Sequence, residues 1–474
     1  MKRRTVCKSL GVLGGMGMLG GSIFNPVRAA SLDALKGSAN AIRGEIAWTR
    51  PTTMPQALIV FLYGGASELA GNLSNIDEIN ATSQNPYSSN LLHETENNII
   101  TPNDFWGGGN IGAGGEMMEN MIAGNRMSVY RTLNRTEDDT KAHRPSIFSN
   151  LTGMIGEDNA RPGIATTLAA VLYAHGAIND ESLFPFVTLE GESVIFNKGD
   201  VNLPLAGRPI SLDERLDNPY SRVANRALET SADATIEALA NSTSAMSGLR
   251  YEKIMDSFNK RSTIANFITD LNQRIVDTTL PNDPDTGLPI EYPNNSFGRR
   301  MRQAVNIVSN NPDTMFVSVG SGGLGGWDDH DSALEDYPAR MRSLMRALDT
   351  ASKHLDAIGK RNVPIFVFSD FGRNVNLNNS LGWDHGNNQT LYTVSGSAIA
   401  GRQLGKIIGK TKKIGTPNEN RQFTSPTDDS YQAPPFSVAA TLYKYYGIEN
   451  PQDLTGGVQP LDENAPNEYV SGGS

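Results

Sequence analysis

Apolar runs and amphipathic stretches take turns along the chain, and that order predicts the fold. Ala57-Leu58-Ile59-Val60-Phe61-Leu62 places six apolar residues in succession, β-branched and aromatic ones among them. Such a run reads as a strand buried on both faces, as in a parallel sheet. Met127–Tyr130, Pro185–Leu189, Met315–Val319, Val363–Phe368 and Thr390–Val394 read as further strands. Between them, apolar residues recur at helical spacing. Helices are predicted over Met117–Ile122, Ile147–Gly153, Thr166–Tyr173, Phe297–Val308, 333–358 and Ser437–Tyr446. In the helix over 333–358, Met341, Leu344, Leu348 and Leu355 form the core stripe, and His354 is assigned to the surface. Ile264, Phe267, Ile268, Leu271 and Ile275 mark one apolar face of a helical insertion at about 215–278. Strands alternating with helices imply an α/β fold: a mostly parallel central sheet with helices on both faces. Residues 30–54 read as a linker with a first edge, 55–450 as one domain, 451–474 as a C-terminal tail, and Lys406–Lys413 as a basic loop.

Composition changes this picture at the amino end. Lys2, Arg3 and Arg4 form a basic start, and Arg3-Arg4-Thr5-Val6-Cys7-Lys8 resembles a twin-arginine export signal. A Gly-diluted apolar segment, Leu10 to Phe24, leads to a small-residue cleavage site at Val27-Arg28-Ala29. The segment is short of the roughly 20 residues a membrane span needs. Residues 1–29 therefore read as a signal peptide, with the twin-arginine translocase as partner, no membrane anchor after cleavage, and a periplasmic or secreted product. The only cysteine, Cys7, lies in that signal, so a mature chain has neither a disulfide nor a thiol nucleophile. Losing Lys2, Arg3, Arg4, Lys8 and Arg28 takes the formal charge from −10 to about −15. That charge argues against nucleic acid as a partner.

Candidate chemistry gathers where strands end. Open α/β sheets bind ligands at the carboxyl ends of their strands. Three predicted strands end there in polar or glycine-rich segments: Tyr63-Gly64-Gly65-Ala66-Ser67, Gly325-Gly326-Trp327-Asp328-Asp329-His330 and Ser369-Asp370-Phe371-Gly372-Arg373. Asp384-His385-Gly386 follows soon after the last. Taken alone, Asp370 reads equally well as a solvated strand-end carboxylate. The glycines at 64 and 65 lack the spacing of a dinucleotide-binding turn. Asn282–Gly287 resembles a calcium loop only in its first residues and reads as a surface turn. His175, just past a helix, reads as structural. His143-Arg144-Pro145-Ser146 places His143 at the amino end of a helix, since Pro145 suits a first turn. The helix end and a nearby cation are expected to lower the pKa of that imidazole.

His143-Arg144-Pro145-Ser146-Ile147-Phe148-Ser149-Asn150-Leu151-Thr152-Gly153 resembles the nucleophile segment of sulfatases, and Phe366 to Gly372 resembles the metal-ligand segment of the alkaline phosphatase and sulfatase superfamily. Five segments in order, at 61–67, 142–144, 325–330, 369–373 and 384–386, resemble an uncharacterised twin-arginine-exported sulfatase-like branch of that superfamily over about residues 55 to 450. The resemblance implies a metal-dependent hydrolase of phosphate or sulfate esters, acting on a small-molecule or polysaccharide ester. It implies a divalent ion (zinc, manganese or calcium) held by Asp328, His330, Asp370 and His385, with Asp370 on a second metal position. Arg144 and Arg373 become oxyanion clamps. His143 stands at the nucleophile position, as nucleophile, general acid or ligand. Three departures from the pattern stand out: Ser67 where an Asp is expected, Phe371 at a second-site ligand position, and one residue rather than three between Asp328 and His330. They keep open a secreted binding or structural protein on the same fold.

Overall fold

The computed structural model describes residues 32–67, 114–135, 141–213, 234–239, 241–242, 263–274, 279–415 and 421–468. The export signal expected at 1–29 and most of the helical insertion expected at 215–278 lie outside the described residues.

In chain order the strands are β1 (Ala57–Leu62), β2 (Met127–Asn134), β3 (Phe186–Thr188), β4 (Ile210–Ser211), β5 (Phe316–Ser318), β6 (Ile365–Ser369), β7 (Gly372–Arg373), β8 (His385–Gly386), β9 (Asn388–Val394), β10 (Ile407–Ile408), β11 (Thr411–Ile414) and β12 (Phe423–Pro426). Eight of them form one sheet in the order β10-β2-β9-β6-β1-β5-β3-β4. β1 lies between β6 and β5 and is parallel to both. Only β9 runs against its neighbours. The fold is the α/β class that the apolar runs imply.

Alternation along the central strands sends side chains to two cores. Leu58, Val60 and Leu62 join Ile365 and Val367 on one face. Ala57, Ile59 and Phe61 join Phe366 and Phe368 on the other. The helices are α1 (Ala39–Glu45), α2 (Gly115–Ala123), α3 (His143–Thr152), α4 (Ile164–Ala174), α5 (Ser296–Asn310), α6 (Ala333–Ala357) and α7 (Ser437–Tyr445). Residues of α2, α5, α6 and the helical stretch 263–274 cover the first face. Residues of α1, α3, α4 and α7 cover the second. Ile264, Ile268 and Leu271 are buried as their spacing requires, while Ile275 lies outside the described residues. No helix among the described residues is long and apolar enough to cross a membrane.

Several expectations change. The stretch 31–53 carries α1 rather than a strand; Trp48 makes one isolated bridge to Ile448 and donates its indole N–H to the Tyr446 carbonyl at 2.6 Å. Leu454, Leu461 and Ala465, beyond residue 450, belong to the second core. Lys406–Lys413 is partly sheet, with Ile407 and Ile408 buried against β2; two residues are too few for an alternating pattern to show. His354 is buried, not on the surface, because α6 packs against both α5 and α2; its Nδ1 lies 3.0 Å from the Tyr292 hydroxyl. The acidic stretch 282–287, by contrast, is the surface turn expected of it, with Lys353 Nζ 3.0 Å from Asp283 and 2.8 Å from Asp285.

Topology then positions the site. β1, β2, β5 and β6 share one direction, so their carboxyl ends lie on one edge of the sheet. The segment after β2 leads into α3 and its first residue, His143. The segment after β5 carries Asp328 and His330. Because β9 is antiparallel, the connection from β6 returns to the same edge, and the β7–β8 pairing sets His385 opposite Arg373.

Candidate metal centre

His143, Asp328, His330 and His385 converge on this edge, each offering a ligand atom within 4.8 Å of the others. Asp328 Oδ1 is their common focus: His330 Nε2 lies 3.0 Å away, His143 Nε2 3.3 Å and His385 Nε2 3.5 Å. His330 Nε2 and His385 Nε2 are 2.9 Å apart. The cluster opens to solvent, with the His330 and Asp328 side chains about half exposed and His143 a third.

The other nitrogen of each ring faces an acceptor. His143 Nδ1 lies 2.8 Å from Asp370 Oδ2. His385 Nδ1 donates to the Lys141 carbonyl. His330 Nδ1 faces Asp384 Oδ1 at 3.4 Å, and the second oxygen of Asp384 accepts from Arg421 Nε at 3.1 Å. Imidazoles that ligate metals are held in this way, by an acceptor on the nitrogen turned away from the ion.

Beneath the rings lies Phe371, fully buried, its ring centroid 4.3 Å from that of His385 and 4.8 Å from that of His143. Two glycines let the loops close this tightly. Gly64, at φ +113°, passes so near that a Cβ there would sit 2.5 Å from the Asp328 amide nitrogen. A Cβ on Gly382 would sit 2.0 Å from the carbonyl carbon of His330. Trp327 and Trp383 anchor the two loops in the core. Both pack edge-on against Tyr337 of α6, at 5.7 and 5.1 Å, and each is followed by an aspartate of the site.

Charge and burial set the protonation of these groups. The hydrogen bond to Asp370 raises the His143 pKa, against the desolvation that lowers it. The shift is thus upward, opposite to the lowering expected from the helix end and a nearby cation. Burial raises the pKa of Asp370, although His143 and the Gly64 N–H oppose the rise. Burial also pushes Asp328 upward, but the hydrogen bond and charge of Arg373 more than offset it, so that carboxyl lies below its ordinary value. Burial lowers His385.

Two sequence-derived roles change. Asp370 stands behind the cluster rather than in it, because Oδ2 is engaged by His143 Nδ1 and by the Gly64 N–H at 3.2 Å. Arg373 is fully buried and donates to the carbonyls of Gly64, Gly65, Trp327 and Trp383 and to Asp328 Oδ1, so it fastens the loops together rather than meeting an anion. Arg144 is exposed beside His143 and pairs with Glu157 at 2.6 Å. His175, expected as structural, bonds the Ile46 carbonyl through Nε2 at 3.0 Å. Lys141, Tyr337 and Arg421 were not legible as site residues. The repeated tripeptide Gly-Trp-Asp, at 326–328 and 382–384, was the available signal for the tryptophan anchors.

A family model described as "Protein of unknown function (DUF1501)" matches residues 55–432, which contain the whole cluster. The chain belongs to that family. No curated protein matches this DUF1501 chain in sequence. Among solved structures, a protein in the alkaline phosphatase superfamily from Vibrio parahaemolyticus aligns over 92% of this chain and 78% of its own, at 10% identity and a TM-score of 0.39. The PsFucS1 sulfatase from Pseudoalteromonas sp. aligns over 94% and 76%, at 10% identity and a TM-score of 0.36. Likeness at that level lends no weight to a functional reading of the DUF1501 site, which rests on its own residues.

Proposed function

We propose that the protein is an exported, metal-dependent hydrolase of phosphate or sulfate esters, acting on a small-molecule or polysaccharide substrate. The observation that carries this reading is the convergence of three imidazole nitrogens and one carboxylate oxygen within 4.8 Å, at the carboxyl edge of an α/β sheet. The donors suit an ion. His143 Nε2 is buried without a hydrogen-bond partner. Two imidazole nitrogens 2.9 Å apart with outward-facing Nδ1 groups would repel unless a cation or a proton lay between them. Three nitrogens and one oxygen favour zinc or manganese over calcium, which takes six to eight oxygens. An ion held by these residues would supply Lewis-acid polarisation of an ester oxygen.

The chain's own groups supply the rest. Asp328 accepts from Arg373, which keeps the carboxylate ionised and fixed. Phe371 closes the underside of the cluster to water. Arg144 is the exposed guanidinium nearest the cluster in sequence, and meeting an anionic ester would require it to leave Glu157. An ester panel tests the reading: turnover of a phosphate or sulfate ester should disappear with a chelator and return with zinc or manganese. Ion binding without turnover on any ester would favour the second reading, a secreted binding protein. That alternative draws on Ser67 and Phe371, neither of which supplies the ligand the superfamily pattern expects at its position. Export is tested separately. Replacing Arg3 and Arg4 by Lys should leave uncleaved precursor in the cytoplasm, and unchanged processing would refute the twin-arginine route.

A further inference from the structure

We infer that the centre holds a single ion, and that Asp370 is a positioning residue for His143 rather than a ligand of a second ion. This rests on the metal-centre reading above, but not on turnover.

The tautomers carry the inference. A carbonyl oxygen only accepts, so His385 Nδ1 must donate to Lys141, and the neutral ring has its lone pair on Nε2. An ionised carboxylate only accepts, so with Asp370 ionised the His143 Nδ1 contact at 2.8 Å is a donation too, beside the one from the Gly64 N–H. His330 Nδ1 faces a carboxylate oxygen in the same sense. His385 and His143 therefore direct Nε2 lone pairs toward Asp328 Oδ1, and His330, which has a carboxylate oxygen at each ring nitrogen, can do the same when Nδ1 carries the proton and donates to Asp384. His143, at the position where the family resemblance expects a nucleophile, has both nitrogens committed: one to Asp370, one to the cluster.

A second ion at Asp370 would need further charged or imidazole donors beside it, and among the described residues no group of His, Cys, Asp or Glu able to share an ion includes Asp370. Phe371 presents a hydrocarbon ring. Ser369 Oγ is occupied, donating to the Phe371 carbonyl at 2.9 Å and accepting from the Ala66 N–H at 3.2 Å. Asn150 turns its amide nitrogen to the backbone carbonyls of Ser369 and Asp370. Among the described residues, the group able to share an ion contains His143, Asp328, His330 and His385, and not Asp370.

The test measures binding, not activity. Full-length protein is loaded with zinc, freed of excess, and analysed for ions per chain; affinity is measured by competition with a chromophoric chelator. One ion per chain is expected in the parent and in Asp370→Asn, which keeps an oxygen for both N–H groups. The Asp370→Asn affinity should fall about 10–100-fold, the usual loss when an acceptor behind a ligating imidazole is changed. Asp384→Asn should act likewise through His330. Nitrogen NMR of the imidazoles should place the proton on Nδ1 of His143 in the parent, and less completely so in Asp370→Asn. Two ions per chain, or a drop from two to one in Asp370→Asn, would overturn the inference. So would an unchanged affinity in a folded Asp370→Asn protein. Absence of any bound ion in the parent would refute the metal centre itself, along with this inference.

Discussion

Asp328 gathers more of the site than any other residue, since three imidazoles and one guanidinium meet its Oδ1. Asp328→Ala removes a ligand and also takes a carboxylate from a guanidinium that is fully buried. Ion binding should fall below detection in a zinc titration, and stability should drop by about 1.5–3 kcal/mol, the worth of a hydrogen bond to a charged group, by denaturant unfolding. Asp328, His330 and His385 are readable from the sequence because ligand-type residues cluster just past apolar runs. Asp370 and Arg373 are equally visible, but their roles are not. Whether a strand-end carboxylate faces an ion or the back of an imidazole depends on which residue lies across the gap, and His143 comes from 227 residues away. Arg373 reads as an anion clamp until the four backbone carbonyls around it are seen.

At the scale of elements, α6 braces the centre from behind. Tyr337 separates the two anchoring tryptophans and donates its hydroxyl to the Ser67 carbonyl. Tyr337→Phe keeps the ring and should cost only about 1 kcal/mol. Tyr337→Ala should cost about 3–5 kcal/mol and weaken ion binding, because both Gly-Trp-Asp loops lose their common wall. A thermal melt combined with a zinc titration separates the two effects. Farther along α6, burial and the nearby Arg302 lower the His354 pKa from 6.5 to about 4. The unfolded chain therefore takes up a proton as pH falls below 6.5 while the folded chain resists it. Stability is whole above pH 6.5 and declines between 6.5 and about 4, by up to ~3 kcal/mol. Acid denaturation of His354→Gln, which cannot titrate, should be flatter across that window. An identical pH profile would show that His354 contributes nothing. The helix itself is legible in the spacing of Met341, Leu344 and Leu348. Its second buried face, where His354 lies, is set by α6 packing against both α2 and α5 and leaves no periodic trace.

For the whole molecule, the three-layer arrangement is the most readable feature. β1 is bounded by the same residues in pattern and structure, because a strand buried on both faces leaves an unbroken apolar run. β4 and β10 are not readable, being two residues each. The reversal of β9 is invisible as well, since an antiparallel strand covered on both faces is as apolar as a parallel one; yet that reversal returns His385 to the working edge. An ion tying together the segments after β2, β5 and β6 should stabilise the whole fold. At a free concentration 100 times its Kd, a bound ion contributes about 2.7 kcal/mol. A chelator should therefore lower the melting temperature of the parent and leave that of Asp328→Ala unchanged.

The most direct measurement is anomalous diffraction at the zinc edge from crystals of the zinc-loaded protein. One peak is predicted, bonded to His143 Nε2, Asp328, His330 Nε2 and His385 Nε2 at about 2.0–2.2 Å, with Asp370 outside the coordination sphere. No peak at this edge of the sheet, or a peak with Asp370 among its ligands, would contradict the account.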